Sequence, residues 1–115
     1  MSADCLFCKI VKGEIPASIV YRDDRVVAFN DINPQAPLHA LIVPTRHIAS
    51  LNALTPDDDG LVGEMVRRAA AIAREKGFDE SGYRTVFNTN AAAGQTVFHI
   101  HLHLLAGRRF TWPPG

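Results

Sequence analysis

The sequence lacks an excess of charge of either sign. Twelve Lys and Arg side chains are balanced by twelve Asp and Glu side chains, so the formal net charge at pH 7 is zero. No run of basic residues forms the positive patch with which nucleic-acid-binding proteins neutralise phosphates. We therefore expect no nucleic-acid partner, although this composition is compatible with a single small phosphate ligand.

Long apolar runs and targeting segments are also missing. The first residues, MSADCLFCKIVKGEIP, do not combine a basic segment with an apolar stretch, and nowhere do about 18 apolar residues follow one another. No repeat, low-complexity tract or linker divides the chain. With 115 residues, of which 47% are hydrophobic, the chain is predicted to form one domain, residues 1–115, with its own core. We expect a cytoplasmic protein with no membrane partner.

Cysteine is scarce, because only Cys5 and Cys8 occur. In a reducing compartment two such residues are more often thiols or metal ligands than a structural disulfide. Their spacing, CLFC, allows one short helix or turn to offer two thiolates to a tetrahedral ion. Two free thiols packed as small hydrophobic groups are the alternative. A redox pair is disfavoured, since such a pair is expected after a strand in a βαβ unit.

The remaining pattern predicts several strands and one long helix. A short helix is expected from Cys5 to Lys12, and strands are expected over 18–23, 24–31, 39–44, 83–89 and 97–107. The segment 55–77 predicts the long helix, with Thr55 as N-cap and Gly77 at its end. Its apolar residues recur every 3.6 positions and predict one buried face: Val62, Met65, Val66, Ala69, Ile72 and Ala73. Short connections favour antiparallel pairing, so the fold class is α+β.

Three of the five histidines fall in the segment HIHLH at 99–103. Alternate side chains of a strand share a face, so His99, His101 and His103 are predicted to form a row with ~6.6 Å between successive Cα atoms. The intervening apolar residues, Ile100, Leu102 and Leu104, would then pack under the long helix. The residues alone leave three interpretations open: a solvated strand face, an all-histidine metal site, and nucleophilic or acid-base chemistry.

The neighbouring segments bear on this choice. Residues 88–97, NTNAAAGQTV, form a polar loop that is suited to present hydrogen-bond donors to an anion. Taken together, HIHLHLL, FNDINPQAPLHALIVPTRHI, AGQTVFHIHLHLLAGR and the terminal TWPPG resemble the nucleotide-binding branch of the histidine triad superfamily. The resemblance extends from Phe7 to Gly115. It implies a five-stranded antiparallel sheet with one long helix and a short N-terminal helix, in a homodimer whose two sheets join into a ten-stranded sheet.

The resemblance also implies an activity. The expected enzyme is a hydrolase that cleaves purine nucleoside phosphoramidates or acyl adenylates through a nucleotidyl-histidine intermediate, without an organic cofactor. His101 would be the nucleophile, His103 would bind phosphoryl oxygens, and His39 would lie beside His101 in a proton relay. Asp31 would accept the ribose hydroxyls. The other nucleotide-binding residues would be Leu6, Phe7, Ile10, Phe29, Ile32, Asn88, Gly94, Gln95 and Thr96, with Trp112 contributed by the tail of the second subunit.

The chain also resembles those members of the superfamily that carry such a cysteine pair and bind structural zinc. The implied ligands are Cys5, Cys8, His47 and His99, which form a closed Cys₂His₂ set. Two other functions stay open at this point. One is hydrolysis of dinucleoside polyphosphates, and the other is a nucleotide-binding or zinc-stabilised interaction module with little turnover.

Overall fold

The computed structural model describes residues 4–115, so residues 1–3 of the predicted domain lie outside the described residues. Five strands form one antiparallel sheet in the spatial order β1-β2-β3-β5-β4. The strands are β1 (Ile19–Arg22), β2 (Val26–Asn30), β3 (Leu38–Pro44), β4 (Tyr83–Val86) and β5 (Leu102–Ala106), and the helices are α1 (Leu6–Val11) and α2 (Asp59–Glu75). The predicted α+β class and five-stranded sheet are confirmed. Within residues 4–115, no helix has the length and hydropathy needed to cross a bilayer.

One face of the sheet packs against α2. The prediction that Ile100, Leu102 and Leu104 lie under the long helix is confirmed, since all three belong to this core. Val66, by contrast, was expected on the buried face of α2 but is 47% exposed. The buried stripe is Leu61, Met65, Ala69, Ile72 and Ala73. Val66 is one position, or about 100°, away from Met65, which places it on the flank of the helix.

The opposite face of the sheet packs against α1. Because successive residues of a strand point to opposite faces, β2 and β3 each contribute side chains to this second core as well. Its buried members are Phe7, Ile10, Val27, Phe29, Leu41 and Val43. Cys5 is the N-cap of α1, and its sulfur accepts a hydrogen bond from the backbone N–H of Cys8 at 3.3 Å. This second face positions the functional residues.

The long helix begins later than the sequence predicts. Residues Pro56–Asp58 form a 3₁₀ turn, and the α-helix starts at Asp59. The buried carboxylate of Asp58 accepts the backbone N–H of Thr55 at 2.8 Å and also pairs with Arg46. The tight 3₁₀ turn lets the carboxylate of Asp58 accept from both Thr55 and Arg46. This explains why the α-helix starts only at Asp59.

The last strand is shorter than predicted, and this changes the interpretation of the histidines. Pairing of β5 with β3 begins at Leu102, opposite Ile42, so His99 and His101 precede the strand. In that preceding segment the backbone N–H of Ile100 donates to the carbonyl of Ile48 at 2.8 Å instead of to a neighbouring strand. The prediction that all three imidazoles lie on one regular strand is therefore wrong, because only His103 lies within β5. The rings of His101 and His103 are still neighbours, with 5.0 Å between their centroids. Likewise β4 ends at Val86 and not at Thr89.

Candidate active site

A cleft with a volume of about 430 Å³ opens beside α1 and the loop 88–97. Most of the predicted nucleotide-binding residues line it: Leu6, Phe7, Ile10, Phe29, Asp31, Ile32, Asn88, Gly94, Thr96, His101 and His103. Six further residues of the lining were missed by the sequence reasoning: Ile15, Pro16, Ala17, Asn30, Leu41 and Val97. Strand alternation could have found Leu41, which pairs with His103 across β3 and β5.

Aromatic packing joins the apolar wall of the cleft to the histidines. The ring of Phe7 lies edge-on to Phe29, with 5.3 Å between the centroids, and edge-on to His101 at 5.0 Å. Such edge-to-face pairs hold both partners in a fixed orientation. The residue that closes one side of the apolar pocket therefore also orients His101.

His101 is held in one tautomer by a backbone carbonyl. Its Nδ1 lies 2.9 Å from the carbonyl oxygen of His99, and because a carbonyl can only accept, Nδ1 carries the proton. In the neutral ring the lone pair is then on Nε2. Burial lowers the pKa of His101, while the hydrogen bond to the carbonyl and the charge of Asp31 oppose this effect. A neutral imidazole with an available Nε2 is the form required of a nitrogen nucleophile.

His39 and His103 form a hydrogen-bonded pair across two strands. Leu41 is opposite His103 in the β3–β5 register, so His39, two residues earlier on the same face, is its diagonal neighbour. His39 Nε2 lies 2.9 Å from His103 Nδ1. The sequence prediction placed His39 beside His101, and the structure corrects this, since the imidazole that His39 contacts is that of His103.

A backbone amide decides how the proton is arranged in this pair. The N–H of Gln35 donates to His39 Nδ1 at 3.0 Å, so Nδ1 is an acceptor and the proton of the neutral ring is on Nε2. His39 Nε2 therefore donates to His103 Nδ1, and the proton of His103 is on its own Nε2. Because His103 lines the cleft, this arrangement leaves it with an N–H group to donate to a ligand.

Electrostatics favour the neutral form of both rings. Burial, together with the charged forms of His101 and His39, lowers the pKa of His103 to about 4, and the charge of Asp31 opposes this effect. Burial also lowers the pKa of His39, and Asp31 again opposes this. The carboxylate of Asp31 lies 3.5 Å from His39 Nε2, but with a neutral imidazole this contact is no ion pair at pH 7.

A second cluster lies next to the cleft and joins residues from three parts of the chain. Nδ1 of His99 lies 3.3 Å from the sulfur of Cys5, 3.4 Å from the sulfur of Cys8 and 3.3 Å from Nδ1 of His47. The sulfur of Cys8 is also 3.3 Å from Nδ1 of His47. These four ligand atoms, from the residues that the family resemblance implies, could hold one metal ion.

The dimensions and protonation of this cluster fit zinc. A tetrahedral zinc ion, with bonds of about 2.3 Å to sulfur and about 2.0 Å to nitrogen, would separate sulfur from nitrogen by ~3.5 Å and two nitrogens by ~3.3 Å. Nε2 of the fully buried His99 donates to the carbonyl of Pro44 at 2.8 Å, which leaves Nδ1 as the lone pair facing the cysteines. A hydrogen bond of this kind commonly orients a metal-binding histidine.

Comparisons with known proteins agree with this geometry. The family model described as "Scavenger mRNA decapping enzyme C-term binding" matches residues 4–110. An uncharacterized HIT-like protein of Synechocystis is 49% identical over 115 residues, which is the full length of both chains. The purine nucleoside phosphoramidase of Escherichia coli strain K12 is 48% identical over 108 residues, covering 94% of this chain and 91% of the relative. The chain belongs to the histidine triad (HIT) family.

A solved HIT structure shares the whole architecture. The crystal structure of a HIT family hydrolase from Legionella pneumophila has a TM-score of 0.96 and 54% sequence identity, covering 97% of this chain and 100% of the other. The resemblance to the family and the HIT-like fold are therefore confirmed.

Two predicted nucleotide-binding residues lie outside the lining of the cleft. The side chain of Gln95 is buried, where its Oε1 accepts the N–H of Asn90 at 2.8 Å and its Nε2 donates to the carbonyls of Ala49 and Val97. It therefore holds the 88–97 loop from within. Trp112 is 82% exposed in the C-terminal segment. The predicted role of Trp112 depends on a second subunit.

Proposed function

We propose that this HIT-family chain is a hydrolase that cleaves purine nucleoside phosphoramidates and aminoacyl or acyl adenylates, with His101 as nucleophile. The observation that carries the proposal is the tautomer of His101, whose proton is held on Nδ1 by a backbone carbonyl. Its other nitrogen is free to attack, and the residue lines a cleft that combines an apolar wall with polar groups. The name of the E. coli relative, purine nucleoside phosphoramidase, supports the same substrate class.

In the proposed reaction, Nε2 of His101 attacks the α-phosphorus and the bond from phosphorus to the leaving nitrogen breaks. The nucleotide is then held on His101 through a phosphorus–nitrogen bond. A proton from solvent reaches the leaving nitrogen as its bond to phosphorus breaks, so that it leaves as an amine; with an acyl adenylate a carboxylate leaves instead and needs no proton. In the second step water attacks the phosphorus, breaks the bond to His101, frees the nucleoside monophosphate and returns a proton to solvent. Division of one displacement into two easier steps is the usual advantage of a covalent intermediate.

The other histidines have distinct roles in this proposal. His103 donates its Nε2–H to a phosphoryl oxygen, where negative charge develops in the transition state. His39 keeps that proton in place, because its own Nε2–H occupies Nδ1 of His103. The structure thus favours a positioning role for His39 through His103 over a direct contact with His101.

The nucleoside would occupy the rest of the cleft. The purine would fit between the apolar side chains of Phe7, Phe29 and their neighbours, and the carboxylate of Asp31 would accept the ribose hydroxyls. Oδ1 of Asp31 accepts the backbone N–H of Asn33 at 2.8 Å, which orients the carboxylate. Asn88, Gly94 and Thr96, which line the cleft at the polar loop, would face the phosphate and the leaving group.

The nucleophile assignment is tested with His101→Ala. We expect a fall in kcat of at least ~10³-fold on adenosine 5′-phosphoramidate, with nucleoside monophosphate binding retained in calorimetry. Mass spectrometry after an alkaline quench should find the nucleotide attached to the peptide that contains His101. Arg67→Ala, which removes an exposed charge from α2, serves as the control. Undiminished turnover by His101→Ala would refute the assignment, and faster cleavage of diadenosine polyphosphate than of phosphoramidate would refute the substrate class.

We also propose that the cluster of Cys5, Cys8, His47 and His99 binds structural zinc. Four protein ligands complete a tetrahedron, so the ion would stabilise the fold without an open position for substrate. Burial lowers the pKa of His99, which favours the neutral imidazole that a metal needs. Elemental analysis of protein purified without added metal should find one equivalent of zinc, and less than ~0.2 equivalents would end this proposal.

We also propose a homodimer, because the sheet has an open edge at β4. β4 is the last strand in the order and pairs with β5 on one side only, within the described residues. An open edge of this kind can pair with a second copy and extend the sheet to ten strands. Light scattering should give twice the 12.6 kDa of one chain, and Trp112 of one subunit would then approach the other subunit's cleft. Cys5 and Cys8, which form no disulfide with each other, agree with the proposed cytoplasmic location.

A further inference from the structure

The C-terminal segment is connected to the histidine pair through the backbone of one residue. Nε of Arg108 donates to the carbonyl of Gln35 at 2.9 Å. The backbone N–H of the same Gln35 donates to Nδ1 of His39 at 3.0 Å, and His39 in turn contacts His103 at 2.9 Å. A continuous chain of three hydrogen bonds therefore leads from a surface arginine to an imidazole in the cleft.

The direction of these hydrogen bonds determines the tautomers of His39 and His103. An amide N–H can only donate, so whenever the Gln35 amide is held against His39, the proton of neutral His39 must be on Nε2. That proton occupies Nδ1 of His103 and leaves the proton of His103 on Nε2. If the Gln35 amide moved away, both rings would be free to adopt the opposite tautomer, and His103 would then present a lone pair to the cleft. The position of this loop residue thus acts together with the carboxylate of Asp31, which lies 3.5 Å from His39 Nε2, to set whether His103 donates or accepts.

Arg108 is itself held in place by its surroundings. Its guanidinium carbon lies 4.4 Å from the centroid of the Phe110 ring, which suits a cation–π contact. Arg84 of β4 lies 5.2 Å from the same ring and donates to the carbonyl of Thr111 at 3.0 Å. The C-terminal segment is therefore fixed to the edge of the sheet, and the guanidinium is presented to the loop between β2 and β3.

The backbone next to Arg108 also fits closely against that loop. Gly107 has a φ of +98°, and a Cβ atom on it would lie 2.8 Å from Cβ of Pro37. Only glycine permits this conformation and this close approach without strain. The loop containing Gln35 is thus held at two points by the two residues that follow β5.

We propose that Arg108 is a positioning residue that sets the tautomers of His39 and His103 by holding the Gln35 peptide. The charge-assisted hydrogen bond to the Gln35 carbonyl restrains the backbone of the residue whose amide meets His39. The consequence for catalysis rests on the proposed function, in which His103 donates to a phosphoryl oxygen. The consequence for the tautomers does not depend on any substrate.

The test compares Arg108→Ala with Arg108→Lys in the full-length protein. In ¹⁵N-histidine NMR spectra we expect the native protein to show the Nε2–H tautomer for both His39 and His103. Arg108→Ala should raise the fraction of the Nδ1–H tautomer in both rings, and Arg108→Lys, whose ammonium can still donate to the Gln35 carbonyl, should restore most of the native pattern. Arg67→Ala is the control for loss of one exposed positive charge.

The kinetic expectation is a separate measurement. Arg108→Ala should lower kcat on adenosine 5′-phosphoramidate by about five- to tenfold, an effect of the size of one ordinary hydrogen bond because Arg108 acts indirectly, with a smaller change in KM. Native tautomers in Arg108→Ala would overturn the proposal whatever the kinetics. If the tautomers shift as expected but the native protein hydrolyses no phosphoramidate, the proposed function fails and the role of Arg108 stands.

Discussion

Replacement of His103 by Asn should make the protein less sensitive to acid. Asn offers an acceptor oxygen near the position of Nδ1, so it can still receive the proton of His39 Nε2, but it has no charge to gain. In the native protein the pKa of His103 is lowered from 6.5 to about 4. The unfolded chain therefore binds a proton at His103 before the folded chain does, and acid favours unfolding.

The magnitude follows from that difference in pKa. Above pH 6.5 His103 is neutral in both states and contributes no pH dependence. Between pH 6.5 and about 4 the unfolded state holds up to one more proton, so the free energy of unfolding falls by at most ~1.4 kcal/mol per pH unit. The native protein should thus lose about 2 kcal/mol more than His103→Asn between pH 7 and pH 5, and about 3 kcal/mol more by pH 4.

Urea denaturation at a series of pH values, followed by circular dichroism, measures this difference. Other titrating groups, including the cluster of Cys5, Cys8, His47 and His99, are common to both proteins, so they largely cancel when one curve is subtracted from the other. Parallel curves between pH 7 and pH 4 would refute the reasoning, because they would mean that folding leaves the proton affinity of His103 unchanged.

Three further substitutions test other parts of the molecule. Asp31→Asn should raise KM for ribonucleoside phosphoramidates by about tenfold or more but leave 2′,3′-dideoxy analogues little affected, since a charged acceptor for the ribose is lost; equal changes for both substrates would contradict that role. Cys8→Ser should abolish stoichiometric zinc in elemental analysis. It should also weaken nucleotide binding in calorimetry, because α1 carries the proposed metal ligand Cys8 next to the pocket residue Phe7. Full metal content in this variant would argue against the site. Met65→Ala, at a position with 0% exposure under the sheet, should lower the free energy of unfolding by about 2–5 kcal/mol in urea titrations without a change in KM.

Local signals in the sequence account for much of the fold. The strong β-propensity of the five segments, the 3.6-residue period of the long helix and the apolar residues between the histidines all predicted elements or packing that the structure contains. The ends of the elements were less accurate. β5 begins at Leu102 because β3 ceases to be its partner there, and no property of residues 97–101 themselves announces the loss of that partner.

The candidate site divides in the same manner. The identity of the cleft residues and of the metal cluster was accessible from the motifs, since a short ordered set of His, Cys and Asp residues resembles one family. The motifs did not predict three contacts that the structure contains. These are the pairing of His39 with His103, the buried hydrogen bonds of Gln95, and the contact of Arg108 with Gln35. Each of these depends on which residues of distant segments lie opposite one another.

Residue type alone decides which atoms can attack, donate or bind a metal, so the chemical groups of the site follow directly from the amino-acid sequence. The sequence also determined which faces of the main helix and strands are apolar, because side-chain direction along a regular element follows a fixed period. Only the tertiary structure decided the proton positions. The carbonyl of His99, the carbonyl of Pro44 and the amide of Gln35 each select a tautomer, and a backbone group reaches an imidazole only after the chain has folded.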